Sequence, residues 1–148
     1  GNLLGVMDIP RAKTASYGIV DIDPRAKTKN PQLVKAQGLV EKPAPEDAPS
    51  TLSIIGRYIL QPEVFQHLDK QKPGAGGEIQ LTDAIAKLIR KDHVYGYRFE
   101  GVRYDCGSLV EFVAANVAYA LDRKEITRTM TKELQEVFAR AGISVGTG

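Results

Sequence analysis

Cysteine is nearly absent from this sequence. Cys106 is the single one in 148 residues, which excludes an internal disulfide framework and suits a reducing cytoplasm. Long hydrophobic runs are missing as well: no stretch of about 18 apolar residues occurs, so no membrane-spanning helix is expected, and the start carries no signal-peptide pattern. An excess of one charge is also lacking. Twenty basic residues balance 18 acidic ones to a net charge of +2, and no basic stripe interleaved with aromatics appears, so neither nucleic acid nor an anionic membrane is the expected partner. The two histidines, His67 and His93, stand apart and read as surface residues. What remains is 43% hydrophobic and 26% charged, the makeup of a soluble globular domain with a real core. The expected partners are small molecules or further copies of the chain, and the expected location is the cytoplasm.

The first residues are apolar without a leading loop. Leu3, Leu4, Val6, Met7 and Ile9 read as a strand from the middle of a sheet, and the chain looks like a fragment. After Pro10, residues 11–16 read as a small polar loop, followed by a strand over 17–23, half of it facing solvent. Residues 24–37, with their prolines and basic residues, read as loop or hairpin. A strand over 38–42 follows, then a Pro-rich connection, then an apolar strand over 52–60 broken at Gly56-Arg57. Pro62 suits the first turn of a helix with Val64, Phe65 and Leu68 on one face.

The glycine cluster Lys72-Pro73-Gly74-Ala75-Gly76-Gly77 lacks the Lys-Ser/Thr pair of a phosphate loop and reads as a turn. Thr82 is a good N-cap for a helix whose Ile85, Leu88 and Ile89 form an apolar stripe. Strands over 94–99 and around 102–106 flank Glu100-Gly101 as a hairpin. Ser108 and Glu111 make a capping box for a helix over 109–121 that is apolar nearly all round and so is expected to be buried or shared with another subunit. A last helix, capped by Thr131, presents Leu134, Val137, Phe138 and Ala141 and closes at Gly142, with a frayed tail from Ile143. Cys106 reads as a small buried hydrophobe.

The most informative stretch is Val40-Glu41-Lys42-Pro43. An acid and a base stand side by side at the end of an apolar strand, where proline gives the backbone reason to turn. Glu41 can accept hydrogen bonds from hydroxyls, and Lys42 can face a phosphate as a point charge. That reads as a clamp for a small hydroxylated anion; an ordinary surface ion pair before a Pro-rich loop is the plainer alternative. Asp105 is likewise either a ligand or a cap for the turn at Gly107, and Arg57 either an ion-pair partner or a phosphate contact.

Taken in order, Tyr17-Gly18-Ile19-Val20, Val40-Glu41-Lys42-Pro43, Gly56-Arg57-Tyr58-Ile59-Leu60, Gly77-Glu78-Ile79-Gln80-Leu81-Thr82-Asp83-Ala84 and Tyr104-Asp105-Cys106-Gly107 closely resemble the C-terminal half of the bacterial UTP–glucose-1-phosphate uridylyltransferases. The resemblance spans residues 1–122. It implies an α/β, Rossmann-like nucleotidyltransferase fold with a mixed sheet, residues 1–107 forming the sugar-phosphate half and 108–148 a helical packing or oligomerisation element. It implies that glucose 1-phosphate attacks the α-phosphorus of UTP and releases pyrophosphate. Glu41 would hold glucose hydroxyls, Lys42 the sugar phosphate, and Gly18 would let the backbone approach the sugar. Asp105 would be one of two carboxylates on a catalytic Mg²⁺, so that Lys42 and Asp105 are the expected catalytic residues. The family's Gly-rich nucleotide loop and first metal-binding Asp have no counterpart here, so the chain alone is expected to be inactive. A homo-oligomer is expected. A thymidylyl- or guanylyltransferase would share the same residues, and a non-catalytic sugar-phosphate-binding or assembly module is the alternative from a different class.

Overall fold

The computed structural model describes residues 1–73, 77–91 and 93–144. They fall into two compact units, residues 1–100 and residues 101 onward. In the first, five strands run in chain order as β1 (Asn2–Asp8), β2 (Gly18–Ile22), β3 (Leu33–Glu41), β4 (Leu52–Ile59) and β5 (Val94–Arg98), with α1 (Glu63–Asp69) and α2 (Leu81–Ile89) between β4 and β5. The strands close into a ring in the order β1-β4-β2-β3-β5. Only β1 and β5 run parallel; every other pair is antiparallel, so the sheet is mixed. As the apolar start of the sequence predicts, β1 lies inside the sheet, between β4 and β5.

The core is aliphatic. Leu4, Val6, Val20, Leu52, Ile54, Val64, Ile85, Leu88 and Val94 are buried together, with Ile22, Val34, Leu39, Leu68 and Ile89 packed against them. Each fully buried side chain of this size stabilises the fold by roughly 1.5–3 kcal/mol relative to exposure. Val64 and Leu68 take part, whereas Phe65 is 65% exposed: at one step from Val64 it turns about 100° away from the face that α1 buries.

Several sequence expectations are corrected by long-range pairing. Residues 33–37 are not loop but the first half of β3, because Leu33, Val34 and Lys35 pair with Tyr97, Gly96 and Tyr95 of β5. Residues 11–16 form a 3-10 helix, Arg11–Ser16. Gly56 does not break β4; it adopts φ +74° within the strand, where the β1–β4 register slips between Leu4 and Val6. Only the later residues of β2 are partly exposed, since Gly18, Ile19 and Val20 are buried. No strand forms over 102–106, so Glu100-Gly101 closes no hairpin.

In the second unit, α3 (Leu109–Leu121) and α4 (Thr127–Arg140) pack on each other. Ser108 caps α3 by accepting from the Glu111 N–H at 3.5 Å, but the Glu111 carboxylate does not complete the capping box. It accepts instead from the backbone N–H of Asp105 at 2.6 Å. Helix α4 starts at Thr127 and not at Thr131, whose hydroxyl donates back to the Thr127 carbonyl. It closes as expected at Gly142, φ +69°, with Gly142 N–H bonded to Ala139 O and Ile143 N–H to Phe138 O, the paired bonds of a Schellman motif. Leu109 and Val110 are each 78% exposed and Val113 53%, so the described residues of this unit leave much of the apolar surface of α3 uncovered. Cys106 is exposed, not buried. Among the described residues no helix is long and apolar enough to cross a membrane. The glycine turn at 74–76 lies outside the described residues.

Candidate functional site

The Glu41-Lys42-Pro43 turn is built by two neighbours. The Lys42 N–H donates to Tyr17 O at 3.0 Å, and the Pro43 carbonyl accepts from the buried Thr14 hydroxyl at 3.4 Å. Arg11 then ties down the Pro-rich connection, donating to Pro45 O at 2.9 Å and Ala48 O at 3.0 Å. Between these anchors Lys42 takes φ +46°, a left-handed conformation that costs a non-glycine residue about 1–2 kcal/mol. This kink replaces the strand's alternation at the point where the sequence calls for a turn. Lys42 Nζ lies 3.9 Å from Glu41 Oε1, with the lysine side chain 53% exposed and the glutamate 13%.

Glu41 pairs directly with Gly18 across β2 and β3, so the two residues face the same side of the sheet. Because glycine has no side chain, the carboxylate lies over it. A Cβ added to Gly18 would stand 3.0 Å from Glu41 Oε2, 3.1 Å from Thr82 Oγ1 and 3.3 Å from Ile54 Cδ1. Gly18, Glu41 and Lys42 are therefore brought together as the sequence predicts, and Thr82 joins them. Thr82 is not the N-cap of α2, a position held by Gln80; it is buried within the first turn and its hydroxyl points at Gly18. Its place inside the Gly-Glu-Ile-Gln-Leu-Thr-Asp run was the signal that capping chemistry obscured.

Tyr58 completes the surroundings. Burial, and after it the negative charge of Glu41, push its phenol above the usual tyrosine range. Among the described residues the Glu41 carboxylate accepts no hydrogen bond, although little of it is exposed. Since no buried side-chain polar atom among the described residues lacks a partner, the acceptor capacity that Glu41 keeps lies at its exposed edge, open to an arriving donor.

Asp105 belongs to the second unit, in the turn before α3. Its Oδ1 accepts from Gly107 N–H at 3.1 Å and its Oδ2 from Arg103 Nη2 at 3.0 Å. The Gly107 N–H, followed by the Arg103 guanidinium, holds this carboxyl below the usual carboxylate range. Among the described residues no three His, Cys, Asp or Glu side chains gather to hold a metal. Mg²⁺ is commonly bound by one or two carboxylates together with substrate phosphates, and an ordered, ionised Asp105 fits that donor set as one ligand. Arg57 donates to Gly56 O at 3.2 Å.

The nucleotidyl transferase family model matches residues 3–121. A UTP–glucose-1-phosphate uridylyltransferase of Komagataeibacter xylinus is 54% identical over 110 residues, which make up 74% of this chain and 37% of that protein. The solved structure of a UTP-bound UGPase from Acinetobacter baumannii superposes with a TM-score of 0.76 at 36% identity, covering 92% of this chain and 45% of the other. A UDP-glucose pyrophosphorylase complexed with UDP-glucose gives a TM-score of 0.74 at 35% identity, over 82% of this chain and 45% of the other. The chain thus spans about two fifths of the length of the curated relatives it matches. With four fifths of its residues inside the family model and the Rossmann-like nucleotidyltransferase fold around them, the chain belongs to the nucleotidyl transferase family.

Proposed function

We propose that this chain carries the sugar-phosphate side of a uridylyltransferase site, and that the whole protein joins UTP and glucose 1-phosphate to give UDP-glucose and pyrophosphate. The observation that carries the proposal is the Glu41 carboxylate, mostly buried over Gly18, without a hydrogen-bond donor among the described residues, and with Lys42 turned beside it. A hexose supplies the hydroxyl donors that Glu41 lacks. Its phosphate supplies the anion for Lys42, whose three ammonium donors and exposed stem suit an approaching phosphoryl group. Thr82 adds a hydroxyl on the same side, and Gly18 lets the Glu41 carboxylate settle close against the strand.

The reaction asks little covalent chemistry of the protein. A phosphate oxygen of the sugar phosphate attacks the α-phosphorus of UTP, the bond to the β-phosphate breaks, and pyrophosphate departs with the electron pair. Positioning and charge neutralisation dominate such transfers. Lys42 holds the attacking phosphate, Glu41 and Thr82 orient the sugar, and Asp105 contributes one ligand to Mg²⁺. When bound, the cation neutralises charge on the phosphates. A reducing cytoplasm suits the exposed Cys106.

Pyrophosphate release from UTP, Mg²⁺ and glucose 1-phosphate tests the reading, with this 148-residue chain run beside the Komagataeibacter xylinus relative. The expected result is turnover by the relative alone, together with UDP-glucose binding by this chain that Glu41→Gln abolishes. UDP-glucose binding that is equal in the Glu41→Gln variant overturns the assignment.

A further inference from the structure

The turn at Asp105 is held more tightly than a metal ligand needs to be. Besides the two hydrogen bonds to its carboxylate, its backbone N–H is fixed by Glu111 at 2.6 Å and its carbonyl accepts from the Ser108 N–H at 2.9 Å. With that backbone fixed, Asp105 Oδ2 lies 3.0 Å from Arg103 Nη2, their side chains 40% and 25% exposed. The pairing is local, between residues two apart in the segment leading into α3. A guanidinium on Oδ2 takes one of the carboxylate's lone-pair positions and adds a positive charge beside the approach of a cation.

We propose that Arg103 competes with a divalent cation for Asp105, so that the metal gains Oδ2 as a full ligand only by displacing the guanidinium. The inference rests on the reading of Asp105 as a metal ligand. Arg103 is then a positioning residue with a restraining effect: it orders the carboxylate while the cation is away and keeps its affinity for free metal low. Displaced, the guanidinium presents a planar fork of donors suited to phosphate oxygens. A cation arriving with a phosphate thus offers Arg103 a new partner, which a bare cation does not.

Mn²⁺ titration followed by paramagnetic broadening of the Gly107 and Ser108 amide resonances of the 148-residue chain tests this. Arg103→Gln is expected to broaden at several-fold lower Mn²⁺ than the unaltered chain, and the gap is expected to shrink as salt is raised. Arg103→Met, of similar length and without charge, gives the same direction, and unmoved resonances elsewhere show that both variants keep the fold. Broadening at equal or higher Mn²⁺ in both variants overturns the competition. Arg103→Gln/Asp105→Asn separates the competition from the ligand reading beneath it. If that double variant broadens just as Arg103→Gln does, Asp105 is no ligand and the competition falls with it. If the unaltered chain resists Mn²⁺ and only the arginine variants respond, the proposal is upheld in its strongest form.

Discussion

At the scale of single residues, Gly18 has the clearest physical role. Its missing side chain makes room for the Glu41 carboxylate and the Thr82 hydroxyl, the nearest of which would stand 3.0 Å from an added Cβ. Gly18→Ala is expected to weaken UDP-glucose binding by about tenfold, equivalent to about 1.4 kcal/mol, while leaving the far-ultraviolet circular dichroism unchanged. Calorimetric titration measures the first quantity. Tyr58 gives a pH signature of the same site. Its phenol is raised by burial and by Glu41, so the folded state holds the phenolic proton more tightly than the unfolded chain does. Whatever stability this supplies is complete below pH about 10, the ordinary tyrosine value, and is lost as pH climbs towards the raised folded value. Absorbance titration at alkaline pH should show one late tyrosine that Tyr58→Phe removes and Glu41→Gln moves back down.

At the scale of elements, periodicity made much of the chain legible. The strand at the start, helix α2 with Ile85 and Leu88 inward, the span of α3 and the glycine closure of α4 all follow from local pattern. What the sequence hid was non-local. Lys35 and Gln37 look like loop residues, and only pairing of 33–35 with β5 and of Ala36 with β2 makes 33–37 a strand. Thr82 advertises capping, and only the approach of β2 turns it into a site residue. Likewise Glu111 satisfies the capping-box spacing yet spends its carboxylate on the Asp105 N–H, while the Ser108 N–H donates to Asp105 O. Helix α3 shows pattern and exposure at odds: its apolar residues are present as read, but Leu109, Val110, Phe112 and Val113 remain exposed. We propose that this surface meets a second copy of the protein. Phe112→Glu then lowers the mass measured by light scattering, and an unchanged mass would remove the interface.

At the scale of the whole molecule, the first unit depends on one aliphatic cluster that both helices and all five strands share. Leu4, fully buried on β1 between β4 and β5, stands where the ring has least freedom to collapse into a void. Leu4→Ala is expected to cost about 2–5 kcal/mol, read from urea unfolding, with the transition midpoint lowered and its slope unchanged. The ring itself is uneven around its circumference. Strands β2 and β3 share five paired positions, but β2 and β4 meet at a single one, Ile19 with Ser53. That seam is the ring's natural hinge line. If it parts, β2 stays with β3, and α2 stays packed on β3, so Gly18, Glu41 and Thr82 keep their mutual places while Ile54 of β4, which faces Gly18, draws away from them.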